Sequence, residues 1–102
     1  MVLVRQEIGE VLLDFRQQKG RTLRQVASRA SVALGYLSEV ERGQKEASSE
    51  ILASVAEALD VPISTIMREV GDRLAVLEGL QTFPDVVPDE LVASMDAELS
   101  LR

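Results

Sequence analysis

Residues 22–43, TLRQVASRASVALGYLSEVERG, decide the fold. Thr22 carries a hydroxyl that can accept a hydrogen bond from a first-turn amide and so start a helix. Leu23, Val26, Ala27 and Ala30 then recur at helical spacing and make one narrow apolar face. Ser31 and Val32 fill a short turn. A second helix is expected from about Leu34 to Arg42, with Leu37 and Val40 turned inward, and Gly43 suits the left-handed residue that closes a helix. Two short helices joined tightly over a small residue make a helix-turn-helix. Ala27 is that small residue, and a larger side chain there would push the helices apart.

The flanks fit helices around this pair. On the N-terminal side a helix is expected from about Arg5 to Lys19, with Ile8, Leu12 and Phe15 facing a core, Val11 beside them, and Gly20 as the stop. On the C-terminal side RGQKEASS (residues 42–49) reads as a loop. Ser48 caps the next helix and Glu50 lies early, where the helix dipole favours an acid. Leu52, Val55, Ala56 and Leu59 form its buried stripe, Asp60 breaks it, and Pro62 restarts the chain. From Ile63 an apolar stripe runs through Ile66, Met67, Val70, Leu74 and Leu77, and positions 63, 67, 70, 74 and 77 alternate by four and three like a heptad seam. Residues 81–88, QTFPDVVP, read as a proline-interrupted link. Pro88 can open a last helix with Asp89 and Glu90 in its first turn and Leu91, Val92, Met95 and Leu99 on its apolar face. These C-terminal helices are expected to bury their faces against a second copy, through Met67, Val70, Leu74, Leu77, Leu91 and Met95. Packing back onto the same chain is the alternative.

The run resembles the helix-turn-helix of the XRE family, the Cro and phage-repressor type of DNA-binding domain. Arg16, Thr22, Val26, Ala27, Val32, Tyr36, Leu37, Ser38, Glu41, Arg42 and Gly43 carry the resemblance, followed by Ser48, Leu52, Ala56, Leu59, Val61 and Pro62. YLSEVERGQKEASSEIL (residues 36–52) is more specific and resembles the small actinobacterial regulators that activate Clp-protease genes. The resemblance implies an all-α fold: a five-helix, lambda-repressor-like DNA-binding domain over residues 5–67, with a helical dimerisation extension over residues 68–102. It also implies a structural brace, because in the family an arginine at the place of Arg16 pairs with a glutamate at the place of Glu41 through two parallel hydrogen bonds.

The resemblance makes the second helix of the pair the reader of base edges, lying in a major groove. Its outward face then holds Leu34, Gly35, Ser38, Glu39 and Arg42. Leu34 could meet a thymine methyl, and Ser38 can donate or accept. Glu39 can accept from a cytosine amino group or pair with a basic neighbour. Gly35 either admits a phosphate or thymine methyl close to the backbone, or is a tolerated weak spot that costs about 1 kcal/mol relative to alanine. Ala33 is a poor cap at the start of that helix. Tyr36 either bonds a phosphate or wedges between helices. Gln44 and Lys45 stand where the family meets the sugar-phosphate backbone. Many relatives hold a phosphate with a glutamine where this chain has Leu23. That work could fall to Thr22, Arg24 or the free amides of the helix start, with Arg21 nearby.

Composition bounds the rest. A chain of 102 residues allows one small domain and an appendage. It has neither cysteine nor histidine, so thiolate metal sites, disulfides and the commonest general base are excluded, and no metal site or cofactor is implied. No apolar run approaches the ~18 residues of a membrane span, and no leader pattern is visible, so the cytoplasm is the expected location without a membrane partner. Net charge is −6, yet residues 1–48 hold eight basic and six acidic residues while residues 49–102 hold three and eleven. The half with the helix-turn-helix is basic and the other half acidic, an asymmetry that could orient the protein on DNA or serve only solubility. The expected partners are therefore double-stranded DNA and a second copy. An activator would also need a surface for RNA polymerase, which no residue pattern marks. The competing class is a protein-interaction module, such as an antitoxin holding a toxin with its acidic half. An enzyme is disfavoured, since Asp85, Asp89 and Glu90 lie beside proline with no histidine, cysteine or phosphate loop near them.

Overall fold

In α1 (Val4–Gln18) Val11 and Leu12 point inward and are completely buried, and the other helices assemble around them. The protein is described by a computed structural model over residues 3–82, with α2 (Leu23–Ala30), α3 (Leu34–Glu41), α4 (Ser49–Ala58) and α5 (Ile63–Thr82) following α1 and no strand among the described residues. The helix α2 packs against α3 and α4, while α1 packs against α3 and α5. Leu37, Val40, Val55, Leu59 and Ile66 close the core beneath them. Ala27 is 3% exposed, on a helix that packs against both α3 and α4.

The helix ends follow from local chemistry. At the start of α2 the Thr22 hydroxyl accepts from the Gln25 amide at 3.1 Å, and the Gln25 side chain accepts from the Thr22 amide at 2.9 Å. Ser48 caps α4 by accepting from the Ile51 amide at 3.2 Å. Gly20 (φ 66°) and Gly43 (φ 75°) take the left-handed turns that end α1 and α3. Two non-glycine residues do the same elsewhere: Ser31 (φ 58°) between α2 and α3, and Asp60 (φ 57°) after α4. In the first case the turn closes when the Val32 amide donates back to the Ala27 carbonyl at 3.0 Å.

Three expectations are corrected. Val11 belongs to the centre of the core, and it is Ile8 and Phe15 that are only partly buried, because α3 and α5 meet α1 from two sides. The seam expected to face a second copy is divided. Val70 is 4% exposed in the chain's own core and Leu74 packs on it. The cause is that α5 lies along α1, where Arg73 donates to Asp14 at 2.6 Å and to Glu69 at 3.0 Å. Leu77 is half-buried beside Val76, Glu7 and Glu10, whereas Met67 stays exposed together with Ile63 and Val76. Gln81 and Thr82 continue α5 and are not part of a link. Leu91 and Met95, like the helix expected after Pro88, lie outside the described residues.

Ser31 holds a left-handed conformation that costs an L-residue about 1 kcal/mol or more. Ser31→Gly is therefore expected to raise stability by about 1 kcal/mol, read as a higher urea midpoint with an unchanged slope.

Candidate nucleic-acid interface

The side chains of the helix-turn-helix divide into those spent on the fold and those left over. Arg16 is spent: its Nε donates to Glu41 Oε2 at 2.7 Å, its Nη2 to Glu41 Oε1 at 3.0 Å, and its Nη1 to the Arg21 carbonyl at 3.0 Å. Glu41 is buried, and its hydrogen bonds raise the Arg16 guanidinium above its already high range. The expected brace is present in this form, joining α1 to the last turn of α3.

Arg21 is spent as well. Its guanidinium donates to the Ala58 carbonyl at the end of α4 and to the Asp60 carboxylate. Arg29 approaches the same carboxylate at 3.6 Å, and Lys19 donates to the Asp60 carbonyl at 3.4 Å. Lys19, Arg21, Arg24 and Arg29 line an open cleft of about 670 Å³ between α1 and α2, and of these four only Arg24 has neither a hydrogen bond nor an ion pair. Arg5 donates to the Gly43 carbonyl at 3.0 Å and lies 3.9 Å from Glu46. Among the described residues, four cations have neither a hydrogen bond nor an ion pair from the side chain: Arg24, Arg42, Lys45 and Arg68. Three of these four belong to the helix-turn-helix or the loop after it.

The exposed side of α3 lies in the same part of the sequence. Gly35 is exposed, and a Cβ added there would meet nothing within 4 Å. Ser38 and Glu39 are half-exposed, and Glu39 has no ion pair, so the basic neighbour considered for it is absent among the described residues. Ala33 is exposed in extended conformation (φ −67°, ψ 137°) and supplies no side-chain cap, which leaves the first amides of α3 without one. Gln44 and Lys45 are exposed in the following loop, and Thr22 and Arg24 are exposed at the start of α2. Leu34 is half-buried and leans on the core, so only part of its side chain remains available.

The Tyr36 hydroxyl donates to the Glu46 carbonyl at 2.8 Å and so ties α3 to the loop that follows it. It pins residues 42–48 from the α3 side, while Arg5 holds them from the α1 side. Sequence reading missed Arg5, the Arg21 contact to α4 and the Arg73 tie. Each joins residues more than 35 positions apart, and no local pattern encodes such a pairing. Among the described residues no helix is long and apolar enough to cross a membrane, and no acidic or histidine cluster could hold a metal.

A braced helix pair with an unobstructed outer helix and uncommitted cations beside it defines a helix-turn-helix DNA-binding protein. The helix-turn-helix family model matches residues 12–66. The chain belongs to this family, as an XRE-type transcriptional regulator related to ClgR. It is 50% identical over 78 residues to the transcriptional regulator ClgR of Mycobacterium tuberculosis, covering 76% of this chain and 70% of that protein. It is 38% identical over 63 residues to the HTH-type transcriptional regulator SinR of Bacillus subtilis, covering 61% of this chain and 57% of that one. The crystal structure of the clp gene regulator ClgR from Corynebacterium glutamicum superposes with a TM-score of 0.73 at 42% identity, over 79% of this chain and 86% of that one.

The Arg21 hydrogen bond, helped by Arg29, holds the Asp60 carboxyl below its ordinary range. A carboxyl depressed on folding adds stability above its unfolded pKa of about 4 and loses it as pH falls through the folded value. Asp60→Asn is therefore expected to lower the melting temperature at pH 7, with the deficit constant down to about pH 5 and closing below about pH 4. A deficit that did not shrink at all as pH fell below about 4 would contradict this assignment.

Proposed function

We propose that two copies of this protein bind a palindromic duplex operator and activate transcription of clp-type protease genes. The observation that carries the reading is the open outer side of α3, with Gly35, Ser38 and Glu39 along it and the unpaired cations Arg24, Arg42 and Lys45 in α2, at the end of α3 and in the next loop. In this reading α3 lies in a major groove. Gly35 lets a phosphate or thymine methyl approach the backbone, and Ser38 and Glu39 meet base edges. The exposed part of Leu34 adds apolar contact. Thr22, Arg24, Ala33, Arg42, Gln44 and Lys45 hold phosphates through side chains or helix-start amides.

A two-fold dimer would present its two α3 helices to half-sites roughly 34–36 Å apart. Ile63, Met67 and Val76 are exposed on α5 and are available for the partner copy, to which Leu91 and Met95 would add. The clp-gene assignment rests on similarity to the ClgR proteins, named for that role in the Corynebacterium glutamicum structure. Activation further requires contact with RNA polymerase.

Fluorescence anisotropy on a duplex selected from a random pool tests the reading, and the selected motif is expected to be palindromic. Arg24→Ala and Lys45→Ala should weaken operator and scrambled DNA about equally, and each should reduce the salt slope by about 1. Glu39→Ala should instead change preference among sequences. Absence of binding to any duplex at ~50 mM salt would end the proposal.

In sedimentation, Met67→Glu is expected to shift the protein toward monomer with its helicity intact. A Met67→Glu protein that remained fully dimeric would remove α5 from the interface.

A further inference from the structure

Gly9 sits in the middle of α1 and is buried, although glycine weakens a helix relative to alanine. Its backbone is not in the left-handed region, so conformation does not require it. Space does. A Cβ at this position would overlap the Val40 carbonyl oxygen and come within 2.7 Å of the Glu41 carbonyl oxygen. Both atoms are backbone and cannot swing aside as the end of a side chain could. The last turn of α3 therefore rests directly on the bare backbone of α1.

We propose that Gly9 is a positioning residue for base readout: its missing side chain sets how deeply and at what tilt α3 is seated. This inference rests on the reading of α3 as the helix that meets DNA. The same end of α3 is fixed by two more contacts from α1, the Arg16 pair to Glu41 and the Arg5 hydrogen bond to the Gly43 carbonyl at 3.0 Å. Gln6 closes the approach, since a Cβ on Gly43 would lie 3.0 Å from its Cα. At its other end α3 is tied to α2 by the short turn through Ser31.

With eight residues α3 is about 12 Å long, so a shift of about 1 Å at its last turn tilts it by about 5°. Hydrogen bonds to base edges tolerate little such error, because their strength falls steeply with distance and angle. Phosphate contacts made by long basic side chains readjust. Loss of Gly9 should therefore separate readout from grip.

The test compares Gly9→Ala with Gly79→Ala in the full chain, the latter being a helical glycine whose added Cβ meets nothing within 4 Å. Affinity is read for the selected operator and for a scrambled duplex of equal length. Amide chemical shifts of the free protein are read alongside. Gly9→Ala is expected to lower operator affinity about tenfold while scrambled affinity stays within about twofold, and to move the amide resonances of residues 37–45. Gly79→Ala should do neither. Equal loss on both duplexes, or shifts confined to the turns of α1 around residue 9, would overturn the proposal. The shifts report seating even if no duplex binds, so failure of the DNA-binding reading is seen separately as absence of binding by the unaltered protein. Should Gly9→Ala not fold, Arg5→Met keeps a side chain of similar length and removes the donor to Gly43. It should lower the ratio of operator to scrambled affinity about threefold and move the same amides, and an unchanged ratio with unchanged amides would overturn the proposal.

Discussion

A guanidinium from α1 meets a carboxylate from the last turn of α3 through two parallel hydrogen bonds, and the carboxylate is almost wholly withdrawn from water. Removing one partner of such a pair leaves an uncompensated buried charge, at a cost of about 3–5 kcal/mol. That is a large part of the ~5–15 kcal/mol that holds a domain together. The other ion pairs here are more exposed, and pairs of that kind are worth ~0–1 kcal/mol each. The Arg16–Glu41 pair also has a direction. It fixes the end of an eight-residue helix to a fifteen-residue one, and the outer side of α3 points where it does because this end cannot slide.

Around that pair the basic residues are divided between two kinds of work. Arg5, Arg16, Arg21, Arg29 and Arg73 tie elements that are distant in sequence. Asp60, on the left-handed turn after α4, gathers Arg21, Arg29 and Lys19, so the cleft between α1 and α2 is less positive than its lining suggests. The charges that remain uncommitted near the helix-turn-helix are few: Arg24, Arg42 and Lys45. A protein of net charge −6 can meet a polyanion on those terms because the local field at one face, and not the total, governs approach.

The helices and their ends were legible because each is a local event. Thr22 with Gln25, Ser48 with Ile51, and the glycines at 20 and 43 act within four residues, and apolar periodicity marks the inner faces of α2, α3 and α4. The brace was legible only through resemblance, since nothing local links residue 16 to residue 41. Reading failed where one pattern had two possible partners. The stripe from Ile63 to Leu77 fits a second copy as well as it fits α1, and here Ile66 and Val70 are buried in the chain's own core while Met67 stays outside. Tyr36 was open for a similar reason: a hydroxyl on α3 can serve a phosphate or a carbonyl, and here the loop supplies a carbonyl.

Sequence alone determined that this chain makes short helices, two of them opened by the hydroxyls of Thr22 and Ser48, with a basic first half and an acidic second one, because spacing, caps and charge are properties of neighbours along the chain. The tertiary structure alone decided which cations stay uncommitted, which face of α5 remains outside, and why α1 carries a glycine at position 9. Those outcomes depend on which atoms meet across distant stretches of chain, and chain connectivity carries no record of that until the helices have packed.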